Sequence, residues 1–233
     1  MSPEESGADA VGRALERMRR FCFPGGEEAA HGIRAVRLVE RGEMRSAPNA
    51  RWMHFTAEME IDATRSGLRW DARLRGGMRW FGVTDAFESG HGRLILRVGG
   101  VTVKTMTGPA FDKGELQRYL ASLALCPSML LNHASLLWTD AGSGALWLRD
   151  SMGAAVAAVA VEIGDDGCPS GGHGLRPRTI GNETSDTPWR VAAGGFRERE
   201  GLRVPGSTEA WWQPEDGPFL YYRSEITSFV AVR

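Results

Sequence analysis

His54 and Glu58 stand four residues apart in a stretch of strict alternation, so they share one strand face. Asp85 alternates with Phe81 and Phe87, which sets a carboxylate among aromatic rings on one face of another strand. A carboxyl group desolvated in such a place holds its proton more tightly, a property general acid–base chemistry uses. Asp85, Glu58 and His54 are therefore the candidate catalytic residues. Glu115 and Arg118 fall on one side of a helix, where they could hold a polar head group or simply pair with each other. Arg118, with Trp70, Phe81 and Tyr221 as ring partners, forms the candidate ligand-binding set. Salt bridges that close a sheet explain such charges equally well.

Other chemistries are excluded by what the spacing lacks. Gly90-His-Gly-Arg-Leu94 has no third glycine and runs into a strand, so it is no dinucleotide loop. Cys168-Pro-Ser-Gly-Gly-His173, with Asp165 and Asp166 nearby, offers no second ligand pair for zinc. We expect no metal and no cofactor. A Gly-x-Ser-x-Gly elbow is absent. Ser128 after Pro127 reads as a helix start, Cys126 as a small buried hydrophobe, and His133 beside Asn132 as a helix C-terminal cap.

The 28 basic and 29 acidic residues leave a net charge of −1 and are spread along the chain, without the basic patch of a nucleic-acid binder. Only Lys104 and Lys113 among the basic residues are lysines, which reads as compositional bias toward arginine. Cys22, Cys126 and Cys168 are odd in number and far apart, so they fit a reducing compartment rather than a disulfide framework. Residues Met1 to Ala10 are acidic and polar, unlike a signal peptide. The longest apolar run, within Gly153 to Ile163, is well short of the ~20 residues that span a bilayer. The expectation is a cytoplasmic monomer or homodimer with no integral membrane segment.

The elements that would position these groups follow from periodicity. Val11, Leu15, Met18 and Cys22 make one stripe of a helix over Ala8 to Phe23, which Pro24-Gly25-Gly26 stops. From Ile33 the period becomes two. Met53, Phe55, Ala57, Met59 and Ile61 alternate with polar residues, as do Leu68, Trp70, Ala72 and Leu74. Strands at Met78 to Phe87, Arg93 to Val98 and Val101 to Met106 extend an antiparallel meander, with turns such as Ser66-Gly67, Gly76-Gly77 and Gly99-Gly100. Asp112, with Glu115 three residues on, predicts a second helix start. Strands resume at Leu136 to Trp138, Ala145 to Arg149 and Ala154 to Ile163. Residues Cys168 to Pro188 read as a loop, and strands near Trp189, Thr208 to Trp212 and Phe219 to Val232 complete the set. The class is mainly β (α+β). A single antiparallel sheet of about nine to eleven strands is too long to stay flat, so it curves into a half-barrel or open barrel with two or three helices on its concave face. The domain division is an N-terminal helix and linker over 1–30 and one β-rich domain over 31–233.

Val83-Thr-Asp-Ala-Phe87, Gly90-His-Gly-Arg-Leu94, Gly108-Pro109, Asp112 to Leu120 and Cys126-Pro-Ser-Met-Leu-Leu-Asn132 together resemble an uncharacterised bacterial family, domain of unknown function 6544. The resemblance runs on through Arg176-Pro-Arg178, Thr187-Pro-Trp189, Gly201-Leu-Arg-Val-Pro205 and Phe219 to Glu225, over about residues 35 to 232. That family is in turn similar, in its order of strands and helices, to the LolA-like lipoprotein-carrier architecture. The likeness implies a half-barrel wrapped around helices with an apolar cavity, a shape shared by lipid carriers and a cofactor-free enzyme. A periplasmic carrier would need a signal peptide, and the expected layout is missing here. The functional expectation is binding or carriage of a hydrophobic small molecule. The alternatives are a cofactor-independent isomerase, cyclase or lyase acting on a hydrophobic metabolite, and an interaction protein with a filled core.

Overall fold

The computed structural model describes residues 3–76, 79–181 and 183–233. Helix α1 (Pro3–Cys22) opens the chain. A meander follows: β1 (Ala35–Met44), β2 (Met53–Asp62), β3 (Leu68–Gly76), β4 (Arg79–Glu88), β5 (His91–Val98) and β6 (Val101–Thr107). Helices α2 (Pro109–Ala121) and α3 (Met129–Asn132) interrupt it. Then come β7 (Leu137–Gly142), β8 (Ala145–Met152), β9 (Ala155–Ile163), β10 (Pro169–Ile180) and β11 (Glu183–Gly194). A small ribbon of β12 (Arg197–Arg199) and β13 (Leu202–Val204) precedes β14 (Ser207–Trp212) and β15 (Phe219–Val232). The expected turn and strand start at Gly77 and Met78 lie outside the described residues.

Thirteen strands form one antiparallel sheet in the order β6-β5-β4-β3-β2-β1-β15-β14-β11-β10-β9-β8-β7. Its two end strands, β6 and β7, do not pair, so the sheet is an open half-barrel. The curvature is forced by α2, which packs against β4 and β5 from one half of the sheet and against β8, β9 and β10 from the other. One helix can touch both halves only if the sheet wraps around it. The tips of the halves also meet, with Gly90 lying against Met152 and Gly153.

The alternation works as expected in β2, where Phe55, Ala57, Met59 and Ile61 are buried and the residues between them are exposed or nearly so. α1 adds Met18, Phe21 and Cys22 to the same core, and Phe21 meets Phe196 edge-on at 5.2 Å. No helix among the described residues is long and apolar enough to cross a membrane.

Two expectations need correction. α2 begins at Pro109 with Gly108 before it, not at Asp112. A proline at the first helical turn loses no hydrogen bond, and the Asp112 carboxylate instead accepts from the Gly92 backbone N–H at 2.7 Å. Residues Cys168 to Pro188 are not a loop. They hold β10 and most of a long hairpin, which with the β12–β13 ribbon raises the strand count above the expected range. Gly171 and Gly172 are strand residues here because a Cβ at either would meet the backbone oxygen of Val191 or the side chain of Val159 at 2.5–3.0 Å. The glycines mark close approach between strands rather than a turn.

Candidate functional site

A cavity of about 660 Å³ lies between the concave face and α2. Met59, Val83, Leu94, Met106, Val159 and Val161 supply much of its apolar wall. Ring faces come from Trp70 on β3, Trp189 on β11, Trp212 on β14, and Tyr221 and Tyr222 on β15.

One wall is charged. Asp85 on β4 pairs with Arg118 of α2, and both side chains are largely buried. Arg118 also sits 4.8 Å from the ring centre of Trp70, which is the ladder partner of Asp85. One turn away, Glu115 accepts from Arg176 of β10 at 2.8 Å, while Arg176 donates to the Gly114 carbonyl at 3.1 Å and stacks over Trp189. Burial, and after it the neighbouring Asp85 charge, push the Glu115 carboxyl up to about 8 against the pull of Arg176 and Arg118. Burial works against the Arg118 cation too, but the carboxylates Asp85 and Glu115 outweigh it and raise its pKa, so it stays charged. Two buried oxygens on this wall, Asp85 Oδ1 and Glu115 Oε2, have no hydrogen-bond partner among the described residues.

Behind the rings stands Glu40. It is in phase with Val36 and Leu38 on β1 and fully buried. It accepts from the Trp70 indole N–H, from the Tyr222 hydroxyl at 2.5 Å and from Ser224 Oγ at 2.9 Å. A buried carboxylate with three donors is satisfied, and it fixes the orientation of two of the lining rings.

The structure brings together Trp70, Asp85, Arg118 and Tyr221 at the cavity. Phe81 shares the strand face of Val83 and Asp85 but stays outside the lining, opposite Leu74. His54 and Glu58 do not join them, which corrects the sequence-based grouping. Because Phe55, Ala57 and Met59 take the concave face, period two sends His54 and Glu58 to the outer one. There His54 is 77% exposed and meets Glu43 at 3.1 Å. Sequence reasoning left Glu40, Arg176, Arg178, Trp189 and Tyr222 out of the candidate site. Glu40 had a readable signal, an acid at a core phase. The two arginines were hidden because their segment reads as loop.

A second buried polar cluster lies apart from the cavity lining. Ser66 Oγ donates to Asp150 Oδ2, and Ser135 Oγ donates to Asp150 Oδ1 at 3.0 Å. His133 Nε2 and Nδ1 lie 3.4 and 3.3 Å from the two serine oxygens. Burial lowers the His133 pKa. The residue types are those of a nucleophilic triad, but the order is wrong. The serines give their protons to aspartate instead of histidine, and Ser66 is only 3% exposed, closed to substrate.

A family model described as a family of unknown function, DUF6544, matches residues 16–224. No curated protein matches the sequence. Among solved structures, LolA superfamily protein NE2245 from Nitrosomonas europaea superposes with a TM-score of 0.50 at 8% identity, covering 96% of this chain and 94% of that one. A DUF1329 family protein from Desulfovibrio piger gives 0.48 at 6% identity over 95% and 92%. A putative outer membrane lipoprotein-sorting protein domain from Vibrio parahaemolyticus gives 0.42 at 8% over 97% and 92%. The first of these establishes a LolA-like fold.

Proposed function

The chain belongs to the DUF6544 family of unknown function, and from that premise we propose that it binds and carries an apolar, lipid-like small molecule between its curved sheet and α2. The observation that carries this reading is the cavity itself. Its volume of about 660 Å³ and its wall of aliphatic and aromatic side chains fit the size and character of small-molecule sites. The few polar groups cluster on one wall, which is how such sites orient a ligand.

Native mass spectrometry of the purified protein, followed by denaturing extraction, tests it. The expected result is a bound hydrophobic compound, or saturable binding of a hydrophobic fluorophore that Val161→Trp abolishes by filling the cavity. A protein that is empty and binds no such fluorophore would sink the reading.

One observation favours a second reading, a cofactor-independent enzyme. Glu115 keeps its proton to about pH 8 beside Asp85 at the cavity wall, and an acid tuned near neutrality suits proton transfer. Turnover of the extracted compound, lost in Glu115→Gln, is the result expected of that reading, and unchanged compound after incubation argues against it.

A further inference from the structure

We propose that the cavity selects an amphiphile with an anionic head, a carboxylate or a phosphate, and that Arg178 receives that head with the Tyr221 hydroxyl as a second donor. This rests on the carriage reading above and adds the chemical class of the ligand.

The inference begins with the β10–β11 hairpin. β10 pairs with β9 only as far as His173, opposite Ala160, and β11 pairs with β14 only from Trp189, opposite Trp212. Along the ladder, residues 174–180 pair with 183–189 alone and form an arm. Salt bridges from Arg176 to Glu115 and from Lys113 to Asp186 fix the arm to α2. Its inner side contributes Arg176, Pro177, Arg178 and Thr179 to the cavity.

The cations of the lining are not equivalent. Arg118 is paired with Asp85, and Arg176 with Glu115. Among the described residues, the Arg178 side chain makes no salt bridge and no hydrogen bond. Its guanidinium lies 5.2 Å from the ring centre of Trp212 and 5.0 Å from that of Phe219. Ring faces hold a cation in place, but they leave the N–H edge of the fork unspent, and that edge matches a carboxylate or phosphate. Lys104, the other cation of the lining, also makes no ion pair among the described residues. On the acidic side, Asp85 and Glu115 are both taken up by these pairs. Glu209 remains, on β14, one position out of phase with the inward-facing Ala210. The cavity is thus short of negative charge at its Arg178 end.

Tyr221 points the same way. Its ring stacks on Trp212 at 5.6 Å, beside Arg178. Its oxygen accepts from the Trp189 indole N–H at 3.0 Å. The hydroxyl proton is then free to be donated, and no described residue accepts it. Burial also lowers the Arg178 pKa, as expected of a cation desolvated without a counter-ion.

The test is displacement of a bound hydrophobic fluorophore by hexadecanoate, hexadecyl phosphate and hexadecanol, from the full chain and from Arg178→Met, Arg178→Lys and Tyr221→Phe. A charge-assisted pair predicts anions binding about tenfold tighter than the alcohol. Arg178→Met should erase that preference and leave hexadecanol within about twofold, Arg178→Lys should keep most of it, and Tyr221→Phe should lose a smaller part. Whichever anion binds tighter identifies the head as carboxylate or phosphate. Hexadecanol binding as tightly as both anions, or an unchanged preference in Arg178→Met, overturns the anionic head while leaving the apolar carrier intact. If none of the three displaces the fluorophore, both readings fall.

Discussion

Two buried polar clusters, one at the cavity wall and one apart from its lining, use similar residues to opposite ends. In the Ser66–His133–Ser135–Asp150 cluster both serine hydroxyls and both aspartate oxygens have partners. It lies outside the lining of the cavity under the sheet. It ties the β2–β3 turn, the end of α3 and β8 into one piece. In the Asp85–Arg118–Glu115–Arg176 cluster, oxygens of Asp85 and Glu115 are left over, and a cavity lies alongside. A fully satisfied network rigidifies, whereas an incompletely satisfied one at a cavity wall costs stability that only a ligand or function would recover. The catalytic look of a cluster is therefore a poorer guide than what its atoms still lack.

The largest effect expected from this contrast is on stability. Asp150→Ala strips two serines of their common acceptor, and should cost about 3 kcal/mol in denaturant unfolding. Ligand affinity measured well below the transition should not move. If affinity falls with stability intact, the roles of the two clusters are reversed. Next, Arg118→Met leaves Asp85 buried beside the cavity without its cation. We expect a loss of about 2 kcal/mol together with weaker ligand binding, read by unfolding and fluorophore titration on the same sample.

The pH dependence separates the clusters by sign. Glu115 titrates at about 8 in the fold and has an ordinary value of 4.5. The folded state keeps a proton that the unfolded chain has lost, so stability should decline as pH rises from 4.5 to about 8 and level off above. Glu115→Gln should flatten that decline. His133 acts oppositely. Its folded pKa lies below the ordinary 6.5, so the unfolded chain takes up the proton first and stability falls as pH drops below 6.5. Unfolding free energies from pH 4 to 9 in wild type and Glu115→Gln check both slopes, and parallel curves would remove Glu115 from the account. The smallest effect belongs to the outer face. His54→Ala and Glu58→Ala should each change stability by less than about 0.5 kcal/mol and leave ligand titrations unaltered.

That last pair shows how far the sequence could be read. Alternation in β2 and β3 revealed which residues share a face, because each face meets one environment along its whole length. It could not say which strands present those faces to one another across a curved sheet, so His54 and Glu58 were grouped with Asp85 although the wall of the sheet separates them. Trp70 and Asp85, by contrast, were both legible because neighbouring strands of a meander pair directly. The β10–β11 arm was lost for a different reason. Glycine and proline are shared by turns and by tightly packed strands, and only the positions of Val159 and Val191 distinguish the two at Gly171 and Gly172. With the arm went Arg176 and Arg178, so the half of the site that crosses over from the far side of the sheet could not be seen.

The unpaired edges of β6 and β7 bear on compliance. In a closed barrel, strand number and stagger fix the bore. Here the ladder never closes, so the girth is set by the twist of the sheet, by α2 packed between its halves and by the contact of Gly90 with Met152 and Gly153. Opening that seam breaks no ladder hydrogen bond between strands. On the carriage reading proposed above, the chamber can adjust to guests of different cross-section, and its discrimination falls on the guest's polar end rather than on its width.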